Sequence, residues 1–152
     1  MNTTDDAVIS DFRDWIAATE IPKADQVSGF DKFVSLPSLV ALQAFERDRG
    51  FYVQIIQGPY PKPGTTCMNR VHVYVGVRFF NDFASQARML RDVPALRLRM
   101  RAAVPKSNDP GTPHVTGLNK VEVSGPLHDY QTIEKGDLVV FDVVLDYHVE
   151  VS

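Results

Sequence analysis

The stretch Arg70-Val-His-Val-Tyr-Val-Gly-Val-Arg-Phe-Phe80 decides the fold class. Every second residue over 71–79 is valine or phenylalanine, whereas most of the residues between them are polar or small. Successive side chains of a β-strand point to opposite faces, so this period of two predicts a strand with one buried face. The opposite face is expected to lie against water or a partner.

A second stretch with the same period ends the chain and is unusually long. It is expected over about 138–151, with this apolar face: Val139, Phe141, Val143, Leu145, Tyr147, Val149 and Val151. Its length of 14 residues, at roughly 3.3 Å each, spans about 46 Å, whereas most strands have about 5–6 residues. A small domain has difficulty covering so long a face. We therefore expect the strand either to bend or to pack its far end, with Tyr147 and Val149, on another subunit.

The first third of the chain carries helix signals. Acidic residues follow Thr4, which predicts a helix over about 4–19 with negative charge at the positive end of the helix dipole. Residues 36–45 favour a short helix, although Leu39 and Val40 would also suit an edge strand.

A helical region of about 82–104 is expected after the strand at 70–80. Pro94 lacks a backbone N–H, which predicts a break or kink, with Asp92 capping a second helical stretch. Residues 96–101 also alternate between apolar and basic side chains, so a strand there is an alternative. The side chains expected on the buried side are Phe83, Ala87, Leu90, Leu96, Met100 and Val104.

Two proline-rich segments are expected to be loops. Residues 58–69 contain three prolines, which lack the N–H that a strand ladder needs, so the strand over about 51–57 should end before them. Residues 105–117 contain three prolines and two glycines. A further strand is expected over about 119–124.

Together these elements predict a single α+β domain over residues 1–152. We expect one mixed or antiparallel sheet, covered by two or three helices, with a long final strand. The apolar fraction of 44% and the charged fraction of 23% are those of ordinary globular proteins.

Composition excludes several classes of function. A net charge of −3 gives no support to binding nucleic acid over a basic face. The chain has one cysteine, Cys67, which cannot form an intramolecular disulfide. Because no apolar run approaches the ~20 residues of a membrane span, no membrane partner is expected.

Signals for catalysis or metal binding are weak. Cys67 and a histidine could form a thiol–base pair, but no local signature supports one, and an incidental cysteine is favoured. Asp142, Asp146 and His148 share a strand face, yet neighbours on such a face lie about 7 Å apart, too far to share one ion unaided. No catalytic residue, cofactor or metal site is therefore predicted. The histidines considered as bases are His72, His114, His128 and His148.

The charged residues divide into a basic and an acidic region. The basic region, in which Asp92 is the one acid, comprises Arg88, Arg91, Arg97, Arg99, Arg101 and Lys106. The acidic region comprises Glu122, Asp129, Glu134, Asp137, Asp142, Asp146 and Glu150. Opposite charges on one small protein suit a head-to-tail interface, which forms a ring when the rotation closes. A solvated helix face is the alternative interpretation of the arginines.

The order of elements resembles that of the small tail-terminator and tail-completion proteins of tailed bacteriophages. The resemblance rests on the stretch 70–80, on Asn81-Asp82 opening a helix, and on Asp137-Leu-Val-Val-Phe-Asp-Val-Val-Leu-Asp-Tyr-His-Val-Glu150. It covers most of the chain, at the level of element order and strand character.

The resemblance implies a virion protein of the tail or neck, assembled in the host cytoplasm. It implies a hexameric ring that caps the head-proximal end of the tail tube and joins it to the neck. DNA would pass through the channel without sequence-specific binding. The family offers no catalytic residues. Alternatives are another neck, connector or minor tail protein and, from a different class, a small ligand-binding or enzymatic domain with a pocket between the sheet at 71–79 and its helices.

Two sets of residues are the candidates for contacts. Those expected between subunits are Arg97, Arg99, Arg101, Asp142, Asp146, Tyr147, His148 and Val149. Those expected to reach the tube or the neck from the loops are Tyr60, Lys62, Lys106 and His114.

Overall fold

A computed structural model describes residues 4–19, 21–22, 30–31, 33–44, 50–65, 67–80, 83–104, 115, 117–125, 131–133 and 136–149. The helices are α1 (Asp5–Ala17), α2 (Leu39–Ala44) and α3 (Phe83–Arg101). The strands are β1 (Ile21–Pro22), β2 (Phe30–Asp31), β3 (Val34–Ser35), β4 (Gly50–Pro61), β5 (Met68–Phe80), β6 (Leu118–Ser124), β7 (Gln131–Ile133) and β8 (Gly136–His148). The fold class is α+β. None of the described helices is long and apolar enough to cross a membrane.

Within the described residues, the main sheet has six strands and is mixed. Its order is β3-β4-β5-β8-β6, and β7 also pairs with β8. Strand β3 runs parallel to β4, whereas the pairs β4–β5, β5–β8 and β6–β8 are antiparallel. Strands β1 and β2 form a separate two-stranded sheet.

The two longest alternating stretches are neighbours in the centre of the sheet. Strand β5 pairs with β8 from Met68 opposite His148 to Phe80 opposite Gly136. The odd-numbered residues over 71–79 and 139–147 belong to the main core, and Val71, Val73, Val75 and Val77 have no exposed surface. The buried face that the alternation predicts over 71–79 is thus confirmed.

Helices α1 and α3 complete the main core. Thr4 caps α1, its hydroxyl accepting a hydrogen bond from the Ala7 N–H at 3.4 Å. The helix buries Phe12 and Ile16 against the same cluster that contains Leu96 and Met100 of α3. Apolar side chains from both helices therefore belong to the same cluster as those of β5 and β8.

A smaller apolar cluster lies on the other face of the sheet. It joins Leu42 of α2 to Tyr52, Leu138 and Val140. Gly76 makes room for the Tyr52 ring, since a Cβ at this position would lie 2.3 Å from the ring. The segment 36–45 therefore does contain a short helix, over Leu39–Ala44, and Leu42 of this helix belongs to the second cluster.

Strand β4 extends further than the prolines suggest. It continues through Pro59 to Pro61, with register shifts between Ile55 and Gln57 and between Gln57 and Tyr60. Among the described residues, its outer edge pairs with β3 only at Gly50 and Phe51. The missing N–H of Pro59 therefore falls at a bulge on an edge strand, where no ladder hydrogen bond is lost. The expected end of the strand at residue 57 was wrong.

Helix α3 is one continuous helix rather than two. Pro94 lies inside it and is exposed, so the carbonyl that loses its hydrogen bond is near solvent. The prediction that Asp92 caps a second helix was wrong. A continuous helix keeps one buried row throughout, and this row is Met89, Val93, Leu96 and Met100. Leu90, expected in the core, is 75% exposed instead.

Candidate functional site

Helix α3 presents an apolar row on the side away from the core. Leu90 is 75% exposed and Leu98 is 65% exposed, and the exposed Pro94 lies midway between them. Residues at positions i, i+4 and i+8 lie along one side of an α-helix, so the three side chains adjoin. Single exposed leucines are ordinary on protein surfaces, whereas an adjoining row of apolar side chains is typical of a contact surface.

Two arginines border this row. Arg101 is exposed, and its Nη2 donates to the carbonyl of Val123 at 3.4 Å, which is the long limit of a hydrogen bond. Arg97 is half-buried, and its buried Nε has no hydrogen-bond acceptor within the described part of the chain. We call Leu90, Pro94, Arg97, Leu98 and Arg101 the outer face of α3.

Arg99 belongs to the contact between α1 and α3. Its guanidinium lies over the Trp15 ring, 3.4 Å from Cζ to the ring centroid. Its Nε donates to the Trp15 carbonyl at 3.0 Å, and Trp15 Nε1 donates to the Arg99 carbonyl at 2.7 Å. Arg99 thus joins two helices of its own chain, in contrast to its expected place between subunits.

Helix α1 carries an acidic face opposite its buried side. Asp6, Asp11 and Asp14 are exposed, and none of their carboxylates forms an ion pair with another described residue. From the sequence, the first acids of α1 were predicted only as a helix start. We call the three exposed aspartates the acidic face of α1. Their position opposite the buried row of Phe12 and Ile16 was the sequence signal that could have predicted this face.

Tyr147 lies in the core of its own chain. It has no exposed surface, and its hydroxyl donates to Asp5 Oδ1, which also accepts from Asn69 Nδ2 at 3.0 Å. Burial, and then the Asp5 carboxylate, raise the pKa of Tyr147 above its ordinary value. The expectation that Tyr147 packs on a neighbouring subunit is corrected, because the first turn of α1 meets this end of β8.

The two residues after Tyr147 are held by backbone hydrogen bonds. His148 is exposed, and its N–H donates to the Gly117 carbonyl at 2.9 Å. Val149 is half-buried against the main core, and its N–H donates to the Cys67 carbonyl at 3.0 Å. Of the expected subunit contacts near the end of β8, His148 alone is well exposed.

Asp146 is neutralised within the chain. Asp146 is 2% exposed, and its carboxylate accepts hydrogen bonds from Arg70 Nε at 2.7 Å and from Arg70 Nη2 at 3.2 Å. Lys62 Nζ lies 3.3 Å from the same carboxylate. Burial by itself would raise the pKa of Asp146, but the hydrogen bonds from Arg70 and Lys62 outweigh it and hold the pKa below its ordinary value. In turn the hydrogen bond to Asp146 raises the pKa of Arg70.

Other acids of the last third also have partners in the chain. Asp142 Oδ1 is hydrogen-bonded to His72 Nε2, and Tyr74 packs edge-on to the His72 ring with centroids 6.2 Å apart. Glu122 lies 2.7 Å from Lys120 Nζ on the exposed side of β6. The described part of the predicted acidic region is therefore largely paired, and it offers little negative charge to a neighbour.

Two of the four residues expected to contact the tube or the neck are described by the structure, and both lie at the edge of the sheet. Tyr60 is half-buried within β4, opposite Arg70 of β5. Lys62 follows β4, and its amine is occupied by Asp146. Both therefore belong to the edge of the sheet rather than to a long loop. Lys106 and His114 lie outside the described residues.

The structure does not gather metal ligands or a thiol–base pair from its described residues. No group of three or more His, Cys, Asp or Glu within that part of the chain could hold a metal ion. Asp142 is bound by His72 and Asp146 by Arg70, so the two carboxylates do not share a partner. Cys67 has a free thiol and is exposed. His114 and His128, which were considered as bases, lie outside the described residues.

A shallow groove lies along the outer edge of β4. Its volume is about 470 Å³, and it is bounded by α1, the start of α2 and the strand. Arg13 lies at one side, and Val40 and Ile55 expose apolar surface within it. Its position differs from the expected pocket at 71–79, since the valines there are packed against the helices.

No protein-family model matches this chain, and a search of curated proteins found no match.

Proposed function

We propose that this chain is a structural subunit that binds copies of itself and forms a ring at the head-proximal end of a bacteriophage tail tube. The ring caps the tube and joins it to the neck. The observation that carries the self-association is the outer face of α3, where an exposed apolar row is bordered by arginines. The place in the virion comes from the resemblance to tail-terminator proteins. The proposed outline, a sheet covered by helices with a long final strand, follows from the elements that the sequence predicts.

The energy available from this face favours a closed assembly. Fully burying a leucine contributes about 1.5–3 kcal/mol, and Leu90 and Leu98 are 75% and 65% exposed. Association costs about 4–15 kcal/mol in lost freedom of motion, so two leucines do not hold a dimer by themselves. In a closed ring each copy makes two contacts, and the ring opens only when two contacts break.

In this proposal the chain acts by contact and not by chemistry. It uses no cofactor and has no catalytic residue. Its partners are other copies, the tail-tube protein and the neck proteins, and DNA passes through the central channel without sequence-specific contacts.

The test is the native mass of the purified chain over a concentration series, followed by electron microscopy of tail tubes grown with and without it. We expect a ring of one stoichiometry, six copies by the resemblance, and tubes that stop growing with a ring at one end. A ring that binds neck proteins and leaves tube growth unchanged would favour a neck or connector protein. A monomer at every concentration that also leaves tube length unchanged would contradict the proposal.

The groove along β4 supports a second candidate function, a small ligand-binding domain. Its volume of about 470 Å³ falls within the roughly 300–1,000 Å³ of ligand sites, and Arg13 could bind an acidic group. A screen of small carboxylic acids by thermal shift tests this candidate. A shift that disappears in Arg13→Ala, in a chain that remains monomeric, would favour ligand binding over ring formation.

A further inference from the structure

The outer face of α3 is complementary to a surface that carries negative charge beside small or apolar side chains. The acidic face of α1 has these properties: Asp6, Asp11 and Asp14 are exposed, and the small residues Ser10 and Ala18 are exposed beside them. We propose that the outer face of α3 in one copy binds the acidic face of α1 in the next copy, head to tail. This inference rests on the proposed function and names the two surfaces that close the ring.

The two surfaces cannot meet within one copy. Trp15 and Arg99 hold α1 and α3 side by side, and both helices turn their buried rows towards the same core. Their exposed faces consequently point away from that core. A contact between them must therefore form between two copies.

Charge favours a head-to-tail contact over a symmetric one. A symmetric contact between two α3 faces would place Arg97 and Arg101 against arginines, and one between two α1 faces would oppose aspartates. Pairing unlike faces instead brings each arginine near a carboxylate. A head-to-tail contact between unlike faces gives a ring when the rotation closes.

The spacing of the charges matches between the two helices. Arg97 and Arg101 are four residues apart and Asp11 and Asp14 are three apart, so each pair spans about one helical turn, roughly 5–6 Å. Two guanidinium groups can thus reach two carboxylates at once. Ser10 leaves space beside the carboxylates, into which Leu98 can pack.

The experiment reverses each surface separately. One variant carries Arg97→Glu and Arg101→Glu, and the other carries Asp11→Lys and Asp14→Lys. Either variant alone opposes like charges at every contact, so we expect at least a tenfold higher concentration for assembly than in the unmodified chain. An equimolar mixture restores opposite charges at every contact, and we expect it to recover the oligomer with the two chains alternating.

Two controls accompany these variants. Lys120→Glu makes the same kind of charge change on β6, away from both surfaces, and we expect it to leave the native mass unchanged. Thermal unfolding followed by circular dichroism shows whether each reversed chain keeps its fold when it is monomeric. Native mass spectrometry identifies the chains present in the mixed oligomer.

The outcomes separate this inference from the proposed function. Reversed variants that assemble as the unmodified chain does would overturn the interface and leave the ring proposal standing. Loss of assembly that mixing does not restore would also overturn it, because the arginines and aspartates would then have different partners. If the unmodified chain is monomeric in solution, the variants are added to tube ends. There, failure of the unmodified chain to cap tubes overturns the proposed function, and capping by either reversed chain alone overturns the interface.

Discussion

The hydroxyl of Tyr147 and the carboxylate of Asp5 join the two ends of the described chain. The tyrosine has no exposed surface, and Asp5 Oδ1 accepts hydrogen bonds from both Tyr147 and Asn69. The residue that sequence analysis assigned to a subunit contact therefore acts in folding. A charged residue at position 147 is now expected to destabilise the monomer itself.

We predict that Tyr147→Phe lowers the free energy of unfolding by about 1–3 kcal/mol, because a partly buried carboxylate loses a hydrogen-bond donor. Urea denaturation at a concentration where the chain is monomeric measures the change. Tyr74→Phe is the matched control, since no described residue bonds the Tyr74 hydroxyl, and we expect a change within about 0.5 kcal/mol. Equal effects of the two substitutions would contradict this role for Tyr147.

Asp146 should make stability depend on pH in the acid range. The pKa of Asp146 is lowered in the folded state by Arg70 and Lys62, so its contribution is complete above the ordinary value of about 3.9. It is lost as pH falls through the lower folded-state pKa. We predict that Asp146→Asn lowers the free energy of unfolding by about 1–3 kcal/mol at pH 7, and that the difference shrinks below about pH 4.

Urea denaturation of both chains between pH 2 and pH 7 tests this dependence. Glu122→Gln is the control, because Glu122 is exposed beside Lys120 and such surface pairs contribute little. A difference between Asp146→Asn and the unmodified chain that stays constant over this range would show that the pair with Arg70 is not its source.

At the scale of elements, two nearby leucines of helix α3 have different environments. Leu96 is 1% exposed in the main core, whereas Leu98, on the outer face, is 65% exposed. We predict that Leu96→Ala lowers the free energy of unfolding of the monomer by about 2–5 kcal/mol, because it leaves a cavity. Leu98→Ala should change it by no more than about 0.5 kcal/mol and instead weaken assembly.

The two alanine variants are each other's control, since both remove the same atoms from the same helix. Urea denaturation measures folding, and native mass over a concentration series measures assembly. If Leu98→Ala leaves the assembly curve unchanged, the outer face of α3 does not contact another copy.

Strand β4 shows how an element can depart from its local signals. Three prolines in 58–63 argue against a strand, yet pairing with β5 carries β4 to Pro61. Gly58, with φ of 89°, adopts a conformation that favours glycine, and a Cβ there would lie 2.8 Å from the Arg70 carbonyl oxygen. The bulged edge thus uses the residue types that were expected to end the strand.

For the whole molecule, the distribution of charge distinguishes carboxylates that are paired within the chain from the charged surfaces that we propose to bind another copy. Asp146 and Asp142 are paired inside the chain, whereas the acidic face of α1 and the arginines Arg97 and Arg101 are not paired with each other. We predict that raising NaCl from 0.05 M to 0.5 M shifts assembly to higher concentration, because salt screens charges across the contact.

Sedimentation or light scattering at fixed protein concentration measures this shift. The equimolar mixture of the two reversed variants should show a similar salt dependence, since its contacts alternate between the original Arg–Asp pairs and Glu–Lys pairs with the sides exchanged. An apolar contact without charge pairs would keep its strength or gain strength in salt, and either result would contradict the proposed charge pairing.

The sequence by itself determined the α+β class, the buried face at 71–79 and the apolar face of β8, because alternation is a local consequence of strand geometry. It also predicted the helix α1 that begins after Thr4. Only the tertiary structure decided which charges are paired, since Arg70 and Asp146 are 76 residues apart and Asp5 and Tyr147 are 142 apart. Such partners depend on strand order and register, which no local pattern encodes. The exposure of Leu90 was also decided by the tertiary structure, because α3 continues through Pro94 and keeps a single face towards the core.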